Sequence, residues 1–502
     1  MTQSREHELN LSAEQMRALG YQVVDLIVGN MHGLREQPVH RSATPEQLSH
    51  IHSEPVPDRP TEPGELVEFL AREVLPWSLR LGHPGCFAFI PSANNFLGVL
   101  GDFLASGFNI SPGAWLVGAG PAAIEQVTAR WLAELLGMPA GTGGLFTPGG
   151  TMANLTAIAA ARSDRLGADT SRAVLYCSDQ THPAVLRACH VLGFAAEQLR
   201  FLPSRGHRLD HHLLRREIED DRRSGRNPFL VLANAGTTGT GSIDPLPELA
   251  DLCREHDLWL HVDGAHGATA AMTTRGRTAL AGLAAADSVV VDPHKWLFQP
   301  YEIGCLLVRD QEALHRAFAL EQFRAQAGYL DITRIAGNEV NLSDHGVQFT
   351  SAARALKLWL SFKGFGVDAF RAAVDHGLDL SERAAALIDV SDELDLVAGP
   401  SLGIVCLRYR LPDHDAFSSD DLDAIHREIA DTVNEGGRFL IATTTVDGQQ
   451  VIRLCTINPR TTKLDIDQLV SAIRHAGRTV NLSSRWCAPR VRARRRPSGP
   501  AA

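Results

Sequence analysis

Hydrophobic positions in the middle of this chain repeat with a period of two in short blocks and a period of about 3.6 in longer ones, and the two block types alternate. Apolar runs predict strands over 173–177, 198–202, 229–233 and 258–262. The stretches between them predict helices over about 182–192, 210–223 and 246–256. Two further apolar runs, 288–291 and 303–308, flank a polar turn in which Asp292, Pro293, His294, Lys295 and Trp296 follow one another. Strands alternating with helices of this length predict an α/β fold, a large domain with a mainly parallel sheet covered on both faces.

Either side of this block the pattern changes. Ser12 and Gln15 form a capping box before apolar positions at helical spacing, which predicts a helix over about 13–31. An extended crossing rich in Pro, Ser and His follows, then a helix near 63–74. Residues 83–115 are dense in Gly, Pro and small residues and read as a segment where elements pack closely. A helical pattern over 121–136 leads into the turn Pro148, Gly149, Gly150, and Thr151 opens a helix ending near Arg162. After the lysine strands, 314–337 predicts a helix running into an irregular charged segment, and a further helix starts at Arg354. Beyond about Gly377 a second, smaller α+β unit is expected. It has a strand over 404–408, a helix over 422–433, a hairpin over 439–457 turning at Asp447 and Gly448, and a last helix over 465–476. The Arg- and Pro-containing tail, 483–502, is expected to be disordered.

Composition narrows the class. A net charge of −10 argues against a general nucleic-acid or membrane-surface binder, and 44% hydrophobic with 21% charged residues is the balance of a globular protein. Eight cysteines without a CxxC pair, several inside apolar strands, read as buried thiols in a reducing compartment, and no metal site is expected. The first residues, MTQSREHELN, contain no apolar leader core, and no apolar run is long enough to span a bilayer. The expected location is therefore the cytoplasm, with no membrane partner.

The chemistry centres on Lys295. A lysine held between two buried strands is costly to desolvate as an ammonium, so its pKa is expected to fall and its neutral amine to serve as a nucleophile. Asp263 stands 32 residues upstream, at the end of the strand in LWLHVDGAHGA, on the edge where open α/β sheets bind ligands. A carboxylate and an amine from two such edges can meet one flat heteroaromatic cofactor, the carboxylate at a pyridinium nitrogen and the amine at an aldehyde. That is the protein's part of pyridoxal phosphate chemistry.

HVDGAHGA, the 32-residue gap and DPHKW together resemble the group II pyridoxal-phosphate decarboxylases, the family of the aromatic L-amino acid, histidine and glutamate decarboxylases, over about 11–476. The resemblance implies a fold-type I enzyme similar to aspartate aminotransferase. An N-terminal helical arm (1–82) would pack on a second subunit of a homodimer, followed by a large pyridoxal-phosphate-binding domain (83–376), a small C-terminal domain (377–482) and the tail (483–502). It implies that Lys295 holds pyridoxal 5'-phosphate as a Schiff base, that Asp263 keeps the ring nitrogen protonated, and that Gly150, Thr151 and His294 take the phosphate. His182 would stack on the ring and meet the substrate carboxylate, Ala265 would cover the other ring face, and Thr238 would sit near a cofactor oxygen. Asp292, where the aromatic decarboxylases carry asparagine, belongs to the cofactor site. Thr350, where many members carry glycine, approaches a phosphate from the partner subunit. Tyr329 matches the tyrosine of a mobile loop that protonates the α-carbon. Phe89, Ile90, Pro91, Ser92 and Trp115 match substrate-pocket positions, and Gly113 falls where aromatic-specific members carry a bulky ring.

The implied reaction is decarboxylation of an aromatic or medium aliphatic L-amino acid to the amine and CO2. Lys295 and Asp263 would equally serve an aminotransferase, a carbon–carbon or carbon–sulfur lyase, or a decarboxylating aldehyde synthase. Tyr329 favours the amine, because in the resembled plant enzymes phenylalanine at that position favours the aldehyde. A non-catalytic scaffold is disfavoured by the joint presence of lysine, aspartate, histidine and tyrosine.

Overall fold

The computed structural model describes residues 9–319, 339–412 and 417–481. Its centre is a seven-stranded sheet made of β1 (Gly143–Thr147), β2 (Ala173–Ser178), β3 (Leu199–Leu202), β4 (Asn227–Asn234), β5 (Trp259–Asp263), β6 (Ser288–Val291) and β7 (Gly304–Val308), in the order β1-β7-β6-β5-β4-β2-β3. The strands from β6 across to β3 run parallel, and β7 is antiparallel to both β6 and β1.

Both faces of the sheet are dry, which is why its strands read as continuous apolar runs. Along β2, Val174 and Tyr176 join one core while Leu175 and Cys177 join the other. Helix α4 (Gly150–Leu166) lies on the second face through Ala153, Ala157, Ala160 and Ala161. These small side chains at helical spacing let the helix approach closely. On the first face lie α6 (His211–Arg223) and α7 (Leu246–Glu255), whose Leu214, Ile218, Leu246 and Leu249 are fully buried. Each such side chain contributes on the order of 2 kcal/mol. The helix between β2 and β3, α5 (Pro183–Val191), starts with proline at its first turn and takes its cap from the His182 side chain.

Outside the central block, α1 (Ala13–His32) forms with the expected Ser12/Gln15 capping box, and none of its residues is fully buried. Within the segment expected only to pack, the chain forms α2 (Phe96–Gly107). Its glycines disguised the helix, and Gly101 has a packing role: a Cβ there would stand 2.5 Å from the Lys357 Cα in α8 (Ala355–Phe365). α3 (Trp115–Leu135) begins six residues before Pro121 and contains a non-helical break at Gly118. At Gly113 a side chain would collide with the Phe349 carbonyl, so the bulky ring of the resembled enzymes has no room there.

The C-terminal part contains the expected strand, hairpin and two helices and adds a further strand. After α9 (Val367–Asp389), strands β8 (Leu394–Ser401), β9 (Ile404–Tyr409), β10 (Ala442–Val446) and β11 (Gln449–Cys455) form an antiparallel sheet in the order β8-β9-β11-β10. Its hairpin turns at Asp447 (φ +50°) and Gly448 (φ +76°), both left-handed as a two-residue turn requires. α10 (Ser419–Glu435) and α11 (Lys463–Asn481) complete its core. Among the described residues no helix is long and apolar enough to cross a membrane, and seven cysteines are free and buried.

Candidate active site

Chemistry-bearing side chains collect where the parallel strands end. β5 stops at Asp263, paired in register with Val290 of β6 and Asn234 of β4. After β6 the chain makes a single helical turn, Pro293–Trp296, which returns Lys295 over the edge of β5. Trp296 anchors that turn: its indole is fully buried and stacks on His266 at 5.3 Å between ring centroids. A cavity of about 540 Å³ opens here, a size suited to a cofactor-sized ligand. Gly150 and Thr151 line one end of it, and His182 and Thr238 enter from beyond β2 and β4. Asp263 and Ala265 come from the end of β5, and Asp292, His294 and Lys295 from the turn after β6.

At the glycine end, Gly149 (φ +154°) caps α4 without any side-chain bond, so the first amides of this 17-residue helix are free for an anion. A Cβ on Gly150 would lie 2.9 Å from Asp292 Oδ2 and 3.3 Å from the Ala265 Cβ, so side chains would close the cradle. Asp263 Oδ1 accepts the Ala265 N–H at 3.1 Å and Oδ2 accepts from Asn154 Nδ2 at 3.1 Å. A carboxylate held this way suits a ring N–H. Amides at a helix start, a carboxylate opposite and a lysine between them fit pyridoxal 5'-phosphate.

The charge state of Lys295 differs from the sequence expectation. Burial pulls its pKa down, but Asp292, Asp263 and a hydrogen bond to Asp292 outweigh it, and the net shift is upward. Lys295 Nζ lies 3.0 Å from Asp292 Oδ2, an ion pair that favours the ammonium. Asp292 is nearly fully buried, and its Oδ1 has no hydrogen-bond partner.

Two histidines have a defined tautomer. His182 Nδ1 accepts the Ala184 N–H at 3.2 Å, so its proton resides on Nε2. Burial pulls its pKa down, against the upward pull of Asp263, and keeps the ring neutral. His294 Nδ1 accepts the Ile303 N–H at 3.3 Å, while its Nε2 lies 3.6 Å from Asp292 Oδ2. Burial lowers its pKa as well.

Other expected residues are not in this cavity. Thr350 is exposed and does not line it. Tyr329 and the tail 483–502 lie outside the described residues. None of the five substrate-pocket positions lines the cavity. Phe89, at φ +56°, is 63% exposed, and its carbonyl accepts Arg453 Nη1 at 2.6 Å. Arg453 Nε also donates to the Thr238 carbonyl at 2.8 Å, so one guanidinium ties that segment to the cofactor edge. Ile90 packs on the core, Pro91 is buried, and the Trp115 N–H donates to Asn341 Oδ1 at 2.9 Å. Ser92 donates to the His294 carbonyl and lines an adjoining groove of about 810 Å³ together with Tyr301. The Tyr301 ring meets His294 at 4.9 Å.

Sequence reasoning passed over Asn154, His261, Tyr301 and Arg453. A signal existed for two of them: Asn154 is a polar residue on the alanine face of α4, and His261 interrupts the apolar run of β5.

The family model for the pyridoxal-dependent decarboxylase conserved domain matches residues 45–410. An aromatic-L-amino-acid decarboxylase of Bacillus atrophaeus is 43% identical over 95% of this chain and 98% of its own length. A phenylacetaldehyde synthase of Petunia hybrida is 25% identical over 94% of this chain and 96% of its own. Among solved structures, Oryza sativa TDC with PLP and tryptamine superposes with a TM-score of 0.86 at 25% identity, covering 94% of this chain and 99% of that one.

Proposed function

Because this chain belongs to the pyridoxal-dependent decarboxylase family and is a pyridoxal 5'-phosphate-dependent amino acid decarboxylase, we propose that its substrate is an aromatic L-amino acid and its product the corresponding amine. The observation that carries the substrate class is the 43% identity, along nearly the whole chain, to an aromatic-L-amino-acid decarboxylase.

When bound, pyridoxal 5'-phosphate supplies an electrophilic aldehyde and a protonated ring that accepts the electrons left behind by departing CO2. The rest falls to side chains of this chain. Gly150 and Thr151 offer backbone N–H groups to the phosphate at the start of α4, with His294 beside them. Asp263, already bound by two donors, presents its remaining lone pairs to the ring N–H and keeps that proton in place. Lys295 supplies the amine for the aldehyde and must first pass a proton on, for which Asp292 Oδ2 at 3.0 Å is the nearest acceptor. His182, neutral with Nε2–H, can donate to the substrate carboxylate without adding a charge that would hold CO2 back. Tyr329 returns a proton to the α-carbon, which favours the amine over the aldehyde.

The chain works as a homodimer in this reading. Support comes from α1, which buries none of its residues fully, and from exposed Phe103, Phe108, Leu116 and Phe349, apolar side chains that a second subunit would cover. Seven buried free cysteines support a reducing cytoplasm.

The test is to incubate the cofactor-loaded protein with the twenty common L-amino acids, following CO2 and identifying each product. Amine from tryptophan, tyrosine or phenylalanine supports the reading. Amine from leucine, methionine or glutamate alone replaces the substrate class, and aldehyde with hydrogen peroxide replaces the product. Sedimentation of the loaded protein at monomer mass would remove the dimer.

A further inference from the structure

Behind Asp263, beginning at its donor Asn154, lies a line of polar side chains to which the proposed mechanism gives no role beyond that one contact. Trp259 and His261 belong to β5, Ser288 to β6 and Asn154 to α4, and all four are at least 97% buried. Trp259 Nε1 donates to Ser288 Oγ at 2.8 Å, Ser288 Oγ lies 2.7 Å from His261 Nδ1, His261 Nε2 lies 2.8 Å from Asn154 Oδ1, and Asn154 Nδ2 donates to Asp263 Oδ2 at 3.1 Å.

Hydrogen positions in this line follow from its two ends. An ionised Asp263 only accepts, so the Asn154 amide must present its NH2 there and its oxygen to His261. His261 Nε2 then has to carry the ring proton. Burial pushes His261 down to about 4, against the upward pull of Asp263, so the ring is neutral and Nδ1 is an acceptor. Ser288 therefore donates its O–H to Nδ1 and uses a lone pair for the indole N–H of Trp259. Every donor in the line points toward Asp263. Trp259 fixes the direction at the far end, because an indole N–H donates and never accepts.

We propose that Trp259, Ser288, His261 and Asn154 form a one-way hydrogen-bond relay that positions Asp263 and holds it as an acceptor for a cofactor ring N–H. The four are positioning residues and touch no cofactor themselves. The relay also sets a spacing, because Thr151 and Asn154 are three residues apart on the same helix. The helix that opens at the phosphate cradle therefore also grips the carboxylate meant for the ring nitrogen. Polarisation along successive hydrogen bonds strengthens the last one, where the charge lies.

This inference rests on the placement of Asp263 at the ring nitrogen, and its test separates the two. Full-length protein stripped of cofactor is titrated with pyridoxal 5'-phosphate and with its 1-deaza analogue, in which carbon replaces the ring nitrogen. The ratio of the two dissociation constants reports the contact between Asp263 and the ring N–H alone. Asn154→Ala and His261→Leu are expected to shrink that ratio by about tenfold or more. His261→Gln, whose amide N–H can still donate to Asn154 Oδ1, is expected to hold it within about threefold. If His261→Leu does not fold, Ser288→Ala, which frees His261 to change tautomer, gives the same readout with a smaller loss. An unchanged ratio in Asn154→Ala, whether or not both ligands bind more weakly, overturns the relay while leaving Asp263 in place. An unaltered chain that does not distinguish the two ligands overturns the placement of Asp263, and the relay with it.

Discussion

Lys295 Nζ and Asp292 Oδ2 stand 3.0 Å apart inside a site that exposes only a quarter of one side chain and almost none of the other. The pair stores the lysine as an ammonium until a ligand or a proton acceptor changes the balance. Removing one charge of the pair should release the amine. In Asp292→Asn the Lys295 pKa is expected to fall, because burial then meets less opposition, leaving more neutral amine at a given pH. The pH profile of cofactor association with the stripped protein checks this: its inflection should move to lower pH, and an unmoved inflection would show that Asp263 alone holds the lysine.

Glu125 of α3 is buried with one oxygen accepting the Phe146 N–H at 3.0 Å, and burial pushes its pKa to about 7. A raised carboxyl value means the folded chain binds a proton that the unfolded chain has released. The stability contributed by the neutral acid is complete below about pH 4.5 and is lost as pH rises through 7. Glu125→Gln keeps the acceptor and carries no charge, so it should stabilise the chain by roughly 3 kcal/mol at pH 8 and by almost nothing at pH 4.5. Urea midpoints at the two pH values decide it, and an equal gain at both would assign the effect to packing.

His266 shows the opposite sign. Its Nε2 donates to the Leu402 carbonyl at 2.9 Å, its buried Nδ1 has no partner, and burial lowers its pKa to about 3. The folded chain excludes a proton that the unfolded chain binds below pH 6.5, so stability is lost as pH falls from 6.5 toward 3. His266→Phe, which can keep the stack on Trp296, should flatten the acid limb by about 1.4 kcal/mol per pH unit. An acid limb of unchanged slope would contradict the assignment.

Gly150 tests the phosphate cradle without removing a charge. In Gly150→Ala the new methyl would meet Asp292 Oδ2 at 2.9 Å and the Ala265 Cβ at 3.3 Å, inside the space an anion needs. Thermal stability should change little, while cofactor affinity drops about tenfold or more, the loss of a charge-assisted hydrogen bond. Equal affinity would place the phosphate elsewhere.

Much of this was legible in the order of residues, because its causes are local. Period-two apolar runs separated by helical stretches define a sheet buried on both faces, and strand ends are where Asp263, His182 and the Lys295 turn had to fall. The glycine turn before α4 announces an anion site through backbone chemistry alone. Helix α2 was hidden because two of its glycines serve close contacts, Gly98 with Pro300 and Gly101 with Lys357 of α8, neighbours about two hundred residues or more away.

Tertiary structure decided what depends on charges and registers from several elements at once. Isolated burial would drive Lys295 toward its neutral form, and chiefly the carboxylates of Asp292 and Asp263, delivered from two strand ends, reverse that direction. Asn154 and His261 stand out in the sequence only as polar residues in apolar surroundings; with Ser288 they become a relay because His261 and Ser288 are in register on adjacent strands and α4 crosses both. The Phe89 carbonyl is held, together with that of Thr238, by a guanidinium from the C-terminal sheet, a contact no local pattern announces. The sequence thus determined the fold and the reactive groups, whose spacing is set along the chain. The protonation and orientation of those groups were set across it, by electrostatics between segments that meet only when folded.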